Sequence, residues 1–437
     1  MAPAEQFLLI IQIRSEFLIS YYIEICSVCT VVTSKHADHF RYYQIMVSAM
    51  TSEQFFRPSH TSASADYRMC RTTIMDTTDP GIRFNDHGDS QFVSLYADRT
   101  AKEILHGELG RQQWSSIVSK INTNRRGINC ICGVSGGVDS SLVLLRAVQA
   151  GLRPLAVHMD NGWNDELAVA NIEELTRRLG VELHTEVLDW ETFRGLQRSF
   201  FRSSVPNVET VTDHAINATL FRLATKLGVT QMLSGSNLAT EAFLQTNAGH
   251  DNKDWVHIRA VHRQFGDTPI SSYPSMSKLR YAYAIALRRV RFIPVLNYLD
   301  YDRNAAKKEL ESGYGWRDYG RKHGESTFTR FFQEYYLPVK FGIDKRRAHF
   351  SCQILAGHKS REDALEEMTK PLWAPGELEP AIDFACRKLG FSASEWNTIM
   401  KAPPLPHSHY PTDWAFQKNS HPMYQYFRRM ATGRNQR

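Results

Sequence analysis

From Ile128 onward, the sequence alternates apolar runs of strand length with helical patterns, and this alternation restricts the fold more than any other feature. The runs INCICGVS, PLAVHMD, VELHTEVL and TQMLSGS each have the length of a buried strand. The helical patterns between them repeat apolar residues at steps of three and four and end at glycines. Strands that alternate with helices form right-handed crossovers. The sequence therefore predicts an α/β fold with a doubly wound parallel sheet.

The chain of 437 residues is too long for one ordinary core, so several domains are expected. Charged residues interrupt the apolar stretches near the N-terminus, and no membrane span is expected there. The predicted parts are an appendage at 1–66, an N-terminal segment at 67–127, the α/β domain at 128–300 and a mainly helical region at 301–437.

Capping residues indicate where several helices begin. Thr212 or Asp213 is expected to cap the helix that ends before Gly228. Two pairs in the C-terminal region have the spacing of a capping box, namely Ser360 with Asp363 and Ser392 with Glu395.

The mildly basic net charge of +6 suits an anionic small molecule as well as nucleic acid, so charge leaves the ligand open. The seven cysteines form no regular disulfide framework. Cys130 and Cys132 alternate with isoleucine in the first predicted strand, which indicates small core residues. A reducing compartment, the cytoplasm, fits this cysteine usage best.

The first strand leads through the turn SGGVDSS, residues 135–141, into a helix. Such a turn exposes backbone N–H groups at a helix N-terminus, where partial positive charge favours an anion. Glycines let phosphate oxygens approach the backbone, and serine hydroxyls add donors. The residues predicted to hold phosphate are Ser135, Gly136, Gly137, Asp139, Ser140 and Ser141.

Asp139 is unusual in this turn, because a carboxylate repels phosphate unless a cation lies between them. Mg²⁺ commonly binds one or two carboxylates together with phosphate oxygens. The turn therefore predicts Asp139 as a ligand of Mg²⁺ and, as the bound anion, pyrophosphate leaving from ATP. The Gly-Lys-Ser/Thr ending of a Walker A loop is absent, which argues against γ-phosphate hydrolysis of that type.

Two further segments follow predicted strands and should line the same crevice, because ligands bind beyond the carboxyl ends of parallel strands. DNGW, residues 160–163, follows the second strand, and SGSNLATE, residues 234–241, follows the fourth. The latter adds Gly235, Ser236 and Glu241 to the predicted nucleotide site.

Taken with these segments, SGGVDSS resembles the PP-loop of the N-type ATP pyrophosphatases, which have the adenine nucleotide alpha hydrolase-like fold. Members split ATP between the α and β phosphates and pass AMP to a carbonyl oxygen. The resemblance implies that the loop holds pyrophosphate and Mg²⁺. It also implies that adenosine rests on the stretch from Val157 to Asn161, with Val157, Met159 and Asp160 as binding residues.

The C-terminal half mixes cations and carboxylates with aromatic residues in YGWRDYGRKHGES and FGIDKRRAHF. Such a mixture suits a polar, anionic, ring-containing ligand. A solvated charged helix would also explain the stretch from Asp344 to Arg347, but the glycines of the first motif indicate a shaped loop. Arg317, Arg321, Glu325 and Arg346 are candidates for binding a sugar nucleotide, and Lys322 or His323 for a place beside the α-phosphate or in proton transfer.

These motifs, with MDTTDPGIRFNDHG, HMDNGW, LSGSNLATE and DKRRAH, resemble the N-acetyl sugar amidotransferases of lipopolysaccharide and O-antigen biosynthesis from about Tyr67 to the end. The resemblance implies that ATP adenylates the N-acetyl oxygen of a nucleotide-linked sugar, such as a UDP-linked one. Ammonia then displaces AMP and leaves an acetamidino group. A glutaminase subunit with a cyclase-like companion would supply the ammonia.

The chain departs from that family in its cysteines. Members carry two Cys-x-x-Cys pairs around MDTTDP, whereas here Cys70 remains and Thr73, Ser90 and Val93 occupy the other positions. One thiolate does not make a zinc site, so no zinc is expected.

Two alternatives stay open. A PP-loop enzyme that modifies tRNA, by thiolation or lysidine formation, would share the loop, but thiolation generally needs cysteines near the site. A non-catalytic nucleotide-binding subunit would share the fold, but such proteins usually lack an intact Ser-Gly-Gly-x-Asp-Ser loop. Nucleic acid is therefore the less favoured partner.

Overall fold

A computed structural model of the chain describes residues 66–122, 127–320 and 325–413. All of them belong to one compact unit, Pro58–Arg437. The appendage predicted at 1–66 lies outside the described residues except for its last residue, and the boundaries predicted at 127 and 300 stay predictions. No helix among the described residues combines the length and the apolar character that a membrane crossing requires.

The central sheet has five parallel strands in the order β3-β2-β1-β4-β5. This arrangement confirms the predicted α/β fold with a parallel sheet. The last strand was not predicted, because RFIP is short and half exposed and has no apolar run. The strands are β1 (Cys130–Gly133), β2 (Pro154–Asp160), β3 (Leu183–Val187), β4 (Gln231–Ser234) and β5 (Arg291–Pro294).

Helices connect the strands and form most of the C-terminal region, as predicted. Among residues 66–122, two helices precede the sheet, α1 (Gln91–Glu103) and α2 (Gly107–Asn122). Within the sheet region lie α3 (Val138–Gln149), α4 (Glu166–Leu179), α5 (Trp190–Arg202), α6 (Thr210–Leu227), α7 (Leu238–Glu241), α8 (Trp255–Phe265) and α9 (Lys278–Ala286). The C-terminal region contains α10 (Arg303–Tyr314), α11 (Thr327–Phe331), a π-helical segment (Phe332–Phe341), α12 (Lys345–Leu355), α13 (Arg361–Thr369), α14 (Leu378–Leu389) and α15 (Ala393–Lys401).

The core lies on both faces of the sheet, because successive residues of a strand point to opposite sides. Cys130 and Cys132 are fully buried on one face with side chains of α3, α4 and α10. Ile131 is buried on the other face with side chains of α6 and α9. The predicted core role of the two cysteines is confirmed, and the sheet is doubly wound.

Helix ends follow the predicted signals with one exception. Gly180 and Gly228 end α4 and α6 in left-handed conformation, which glycine adopts without a Cβ clash. The start predicted at Thr212 or Asp213 is wrong, because α6 begins at Thr210. The turn before it is closed by Asn207, whose side-chain oxygen accepts from the backbone N–H of Glu209 and whose carbonyl accepts from the Thr210 hydroxyl. The two C-terminal caps are confirmed, since Ser360 and Ser392 accept from the backbone N–H groups of Asp363 and Glu395.

The N-terminal segment is joined to α12 by a buried ion pair. Arg347 lies 2.8 Å from a carboxylate oxygen of Asp76, and the two side chains are 1% and 0% exposed. A solvated charged helix is therefore the wrong interpretation of this stretch. Nearby, the Cys70 sulfur accepts from the backbone N–H groups of Thr73 and Ser90 at 3.4 and 3.2 Å. Packing and hydrogen bonds thus surround the remaining cysteine.

Candidate functional site

The predicted phosphate loop lies where β1 passes into α3, with Gly137 as the N-cap. The first backbone bond of the helix runs from the N–H of Ser141 to the carbonyl of Gly137 at 3.0 Å. Val138 and Ser140 lie in the first turn of the helix, where backbone N–H groups have no acceptor within the helix. The loop therefore presents backbone donors at the positive end of a helix dipole.

The serines give the loop its shape. The Ser140 hydroxyl accepts from the Ser135 backbone N–H at 3.1 Å and donates to the Gly137 carbonyl at 3.2 Å. The Ser135 hydroxyl accepts from the Gly137 N–H at 3.3 Å, and Ser141 is 2% exposed. The phosphate contacts predicted for these hydroxyls stay predictions, because their observed contacts lie within the loop.

Gly136 is required by both conformation and space. Its φ is +81°, and a Cβ at this position would lie 2.5 Å from the carbonyl oxygen of Ala168 in α4. The Gly136 carbonyl accepts from the indole N–H of Trp316 at 2.8 Å. Trp316, a residue of the C-terminal motif, therefore hydrogen-bonds to the backbone of the phosphate loop.

The Asp139 carboxylate is oriented by two donors from other loops. The Tyr301 hydroxyl donates to Oδ1, and the Asn237 amide donates to Oδ2 at 3.4 Å. Asn237 is itself fixed, because its side-chain oxygen accepts from the Thr240 N–H at 3.1 Å. Burial and the Asp139 charge raise the pKa of Tyr301, so this phenol is a proton donor at neutral pH. Mg²⁺ commonly binds carboxylate oxygens, and Asp139 presents such oxygens at the start of α3. The donor set fits this hard, oxygen-preferring ion.

The segment after β4 lies directly against the phosphate loop. A Cβ on Gly235 would lie 2.9 Å from the backbone nitrogen of Ser140. Ser236 forms a hydrogen bond within its own segment, since its N–H donates to the Ser234 hydroxyl at 3.1 Å. Glu241 is exposed at the end of α7. The expected proximity of these strand ends is confirmed for Gly235, and nucleotide binding by Ser236 and Glu241 stays a prediction.

The segment at the end of β2 differs in exposure along its length. Val157 is 5% exposed, packs in the core beside Ile131, and accepts from the Val134 N–H at 2.9 Å through its carbonyl. Adenosine binding by Val157 stays a prediction. Met159 and Asp160 are partly exposed at the end of the strand, where a ligand can reach them.

The DNGW turn after β2 is supported by Lys388 of α14. The ammonium group donates to the Gly162 carbonyl and lies 4.8 Å from the ring centre of Trp163 and 5.3 Å from that of Trp190. Cation–π attraction is strongest over tryptophan. Burial lowers the pKa of Lys388. The C-terminal region therefore contacts all three strand-end segments, since Leu238 of the third packs with Ala348 and Cys352 of α12.

Residues from the first and the last part of the motif GWRDYGRKHGES lie near the phosphate loop. Asn171 pairs with the backbone of Arg317 through bonds of 2.8 and 2.9 Å, while the Arg317 side chain is exposed. A Cβ on Gly137 would lie 3.1 Å from the Tyr319 hydroxyl and 3.7 Å from a Glu325 carboxylate oxygen. The predicted residue Glu325 thus lies beside the loop. Arg321, Lys322 and His323 lie outside the described residues.

Arg346 has structural contacts instead of an open guanidinium. It forms an ion pair with Asp344 at 2.7 Å and donates to the carbonyls of Glu367 and Lys370 at 3.3 and 2.8 Å. These bonds tie the start of α12 to the end of α13. Arg346 therefore has a structural role here, and its substrate role stays a prediction.

Three residues of this site were missed by sequence reasoning, namely Tyr301, Trp316 and Asn237. Trp316 and Asn237 belong to the motifs GWRDYGRKHGES and SGSNLATE. The sequence does not show which residues of the loop they contact. Tyr301 follows β5, and only a prediction of that short strand would have placed it at the same sheet edge.

Together, these features define a doubly wound α/β protein with a glycine-rich strand-to-helix loop at the point where the strand order reverses, between β1 and β4. The family described as "LPS biosynthesis protein WbpG-like, C-terminal domain" matches residues 325–421 of this chain. Among solved structures, the chain is similar to NH3-dependent NAD synthetase from Campylobacter jejuni in complex with the nitrate ion. That similarity has 14% identity, a TM-score of 0.26, and covers 49% of this chain and 98% of the other. Among curated proteins, none matches this sequence.

Proposed function

We propose that this protein is an ATP-dependent amidotransferase that converts the N-acetyl group of a nucleotide-linked sugar into an acetamidino group in lipopolysaccharide biosynthesis. In the proposed reaction, the acetyl oxygen attacks the α-phosphate of ATP, and pyrophosphate leaves. Ammonia adds to the resulting imidate carbon, and AMP leaves with the original acetyl oxygen. The amide oxygen is a poor leaving group until AMP is attached, so the adenylation makes the exchange possible.

The observation that carries this proposal is the phosphate loop with Asp139 in its first helical turn. The backbone N–H groups of Val138 and Ser140 at the start of α3 are suited to the charge that develops on departing pyrophosphate. Mg²⁺ at Asp139 would neutralise charge on the phosphate oxygens. Tyr301 and Asn237 keep the carboxylate in one orientation for that role.

The acceptor is proposed from the C-terminal region. The WbpG-like family match covers the part of the chain that contains Glu325 and α11 to α15, and it supports a role in lipopolysaccharide biosynthesis. Glu325 lies beside Gly137, so a ligand bound along this motif would lie next to the α-phosphate. Arg317 is an exposed candidate for binding the sugar nucleotide, and Arg321 belongs to the same motif. Lys322 or His323 is proposed for proton transfer, and a glutaminase with a cyclase-like companion for ammonia supply.

A thiolation activity is disfavoured by the two cysteines nearest the loop in sequence. Cys130 and Cys132 are fully buried, and burial raises the pKa of the Cys130 thiol to about 12. Neither thiol is accessible or ionised at neutral pH, and sulfur transfer needs a thiolate.

The test is incubation of the full chain with ATP, Mg²⁺, ammonium and UDP-linked N-acetyl sugars, followed by mass spectrometry. We expect AMP, pyrophosphate and a sugar product in which NH has replaced oxygen. Asp139→Asn should abolish AMP formation, whereas Asp300→Asn, which changes an exposed carboxylate near α2, should not. ATP turnover that requires tRNA and leaves every sugar unchanged would contradict the proposal.

A further inference from the structure

Three buried histidines from separate parts of the chain meet beside the C-terminal arm, residues 402–413. His250 precedes α8, His257 lies in its first turn, and His407 lies in a short 3₁₀ turn (His407–His409) of the arm. Each offers a ring nitrogen within 4.8 Å of the other two. The His250 side chain is 2% exposed, and His257 and His407 are 0% and 6% exposed. Imidazole nitrogens clustered in this way are the commonest protein ligands of transition metals.

Asp254 fixes the proton of the first histidine. Its Oδ2 atom lies 3.1 Å from Nε2 of His250 and also accepts from the Thr412 hydroxyl. Its other oxygen accepts from the His257 backbone N–H at 2.9 Å. Because the carboxylate is an acceptor, Nε2 of His250 carries the proton and Nδ1 keeps its lone pair. A carboxylate that orients a histidine in this way is a common partner of metal-binding histidines.

One hydrogen bond links the rings of the other two histidines. Nδ1 of His407 lies 2.9 Å from Nε2 of His257, and Nε2 of His407 accepts from the Asn207 N–H at 3.2 Å. The proton therefore lies on Nδ1 of His407, between two nitrogens. A metal ion in its place would bind both nitrogens and shift the proton to Nε2 of His407. Asn207 would then lose its hydrogen bond to His407. The free energy lost with that bond is smaller than the free energy gained from bonds to a metal.

We propose that His250, His257 and His407 bind one divalent transition-metal ion, with zinc as the best fit, and that this ion fastens the C-terminal arm to α8. With zinc–nitrogen bonds of about 2.0–2.1 Å, ligand nitrogens of a tetrahedral site lie roughly 3.4 Å apart, so the observed cluster needs only small side-chain shifts. The buried Asp254 carboxylate offsets part of the ion's charge. This site uses none of the positions of the family's cysteine cluster.

The arm is also attached to the rest of the protein by contacts outside the histidine cluster. The Leu405 N–H donates to the Ser204 carbonyl at 3.0 Å, and the Tyr410 hydroxyl donates to the Ser203 carbonyl at 2.7 Å. Lys278 pairs with Asp413 at 2.7 Å. Among the described contacts, the histidine cluster joins the arm to both α8 and the loop before it.

The test is metal analysis of the full chain, purified without a polyhistidine tag, by inductively coupled plasma mass spectrometry after zinc addition and gel filtration. We expect one zinc per chain in the wild type and in His409→Gln, whose histidine is exposed in the same turn, and none in His407→Gln. Wild-type protein without stoichiometric zinc, or His407→Gln with full zinc, would overturn the proposal.

A cobalt titration of the wild type keeps the proposal testable if His407→Gln does not fold. Co²⁺ in a tetrahedral nitrogen site gives intense visible absorption, and we expect saturation at one equivalent and loss of the bands on zinc addition. Absence of these bands would contradict the site. Neither readout uses ATP turnover, so the result does not depend on the proposed amidotransferase activity.

Discussion

The Tyr301 hydroxyl donates a hydrogen bond to Oδ1 of Asp139, which joins the segment after β5 to the phosphate loop after β1. The tyrosine is mostly buried and keeps its proton at neutral pH. A neutral donor beside the carboxylate leaves its negative charge in place and limits its rotation. Tyr301 is therefore a positioning residue for the cation that Asp139 is proposed to bind.

Replacing Tyr301 with phenylalanine should weaken cation binding without unfolding the protein. A hydrogen bond to a charged group contributes about 1.5–3 kcal/mol, so we expect roughly tenfold weaker Mn²⁺ binding or more. Electron paramagnetic resonance can measure free Mn²⁺ in the presence of an ATP analogue that resists cleavage between the α and β phosphates. Tyr298→Phe, in the preceding 3₁₀ turn, should bind Mn²⁺ as the wild type does. Equal Mn²⁺ affinity in Tyr301→Phe and the wild type would remove Tyr301 from this role.

Gly136→Ala should destroy nucleotide binding. The added methyl would lie 2.5 Å from the Ala168 carbonyl oxygen at a φ of +81°, so the loop must deform. We expect the rise in Tm on adding Mg·ATP to disappear. Gly151→Ala is the matched control, because its φ is +75° and nothing lies within 4 Å of the added atom. A normal ATP-dependent rise in Gly136→Ala would show that the loop does not hold the nucleotide.

Arg347→Met should destabilise the protein strongly. Removing one partner of the buried pair leaves the Asp76 charge without its cation, at a cost of about 3–5 kcal/mol. Adding Asp76→Asn should recover part of that loss, because no isolated charge remains. Urea unfolding of both variants gives the free energies of unfolding. If Arg347→Met alone unfolds at the wild-type midpoint, the pair does not hold the N-terminal segment.

The stability of the fold should fall in mild acid because of His214. This side chain is fully buried, donates from Nδ1 to the Asn252 carbonyl at 2.7 Å, and accepts from the Met276 N–H at 3.2 Å. Burial lowers its pKa from 6.5 to about 4. The unfolded chain therefore binds a proton that the folded chain excludes, and stability present above pH 6.5 is lost as the pH falls toward 4.

The size of this loss is about 3 kcal/mol for a single fully buried histidine. His214→Gln retains a donor and an acceptor but does not titrate, so its free energy of unfolding should change less between pH 7 and pH 4.5. The exposed His409→Gln should follow the wild-type pH dependence. Identical pH dependence in His214→Gln and the wild type would assign the acid sensitivity to other groups.

The parallel sheet, the strand-to-helix turn at residues 135–141 and most helix ends could be predicted because they depend on local patterns. Apolar periodicity, the two glycines of the loop and the left-handed glycine at 180 each act within a few residues. The Tyr301–Asp139 and Trp316–Gly136 contacts join residues 162 and 180 positions apart, and no local pattern encodes such pairs. Val157 was predicted to bind the nucleotide because the resemblance covered residues 157–161. Its position in the strand buries its side chain, which the resemblance did not indicate.

The helical C-terminal region was predicted in outline, but the contacts of its side chains were not. Arg346 and Arg347 lie next to each other in sequence, and nothing in the sequence distinguishes an arginine that binds a ligand from one that ties elements together. In the structure, Arg346 forms an ion pair with Asp344, and Arg347 forms one with Asp76. The meeting of His407 with His250 and His257 likewise depends on the path of the arm.

The central claim is that ATP activates the acetyl oxygen of the sugar, and an isotope label tests it directly. The acetyl oxygen of a UDP-linked N-acetyl sugar is replaced with ¹⁸O, and the protein is supplied with ATP, Mg²⁺ and ammonium. If the oxygen attacks the α-phosphate, the bond from phosphorus to that oxygen survives when ammonia enters, and mass spectrometry will find the label in AMP. Unlabelled AMP, or label retained in the sugar while ATP is consumed, would contradict the account.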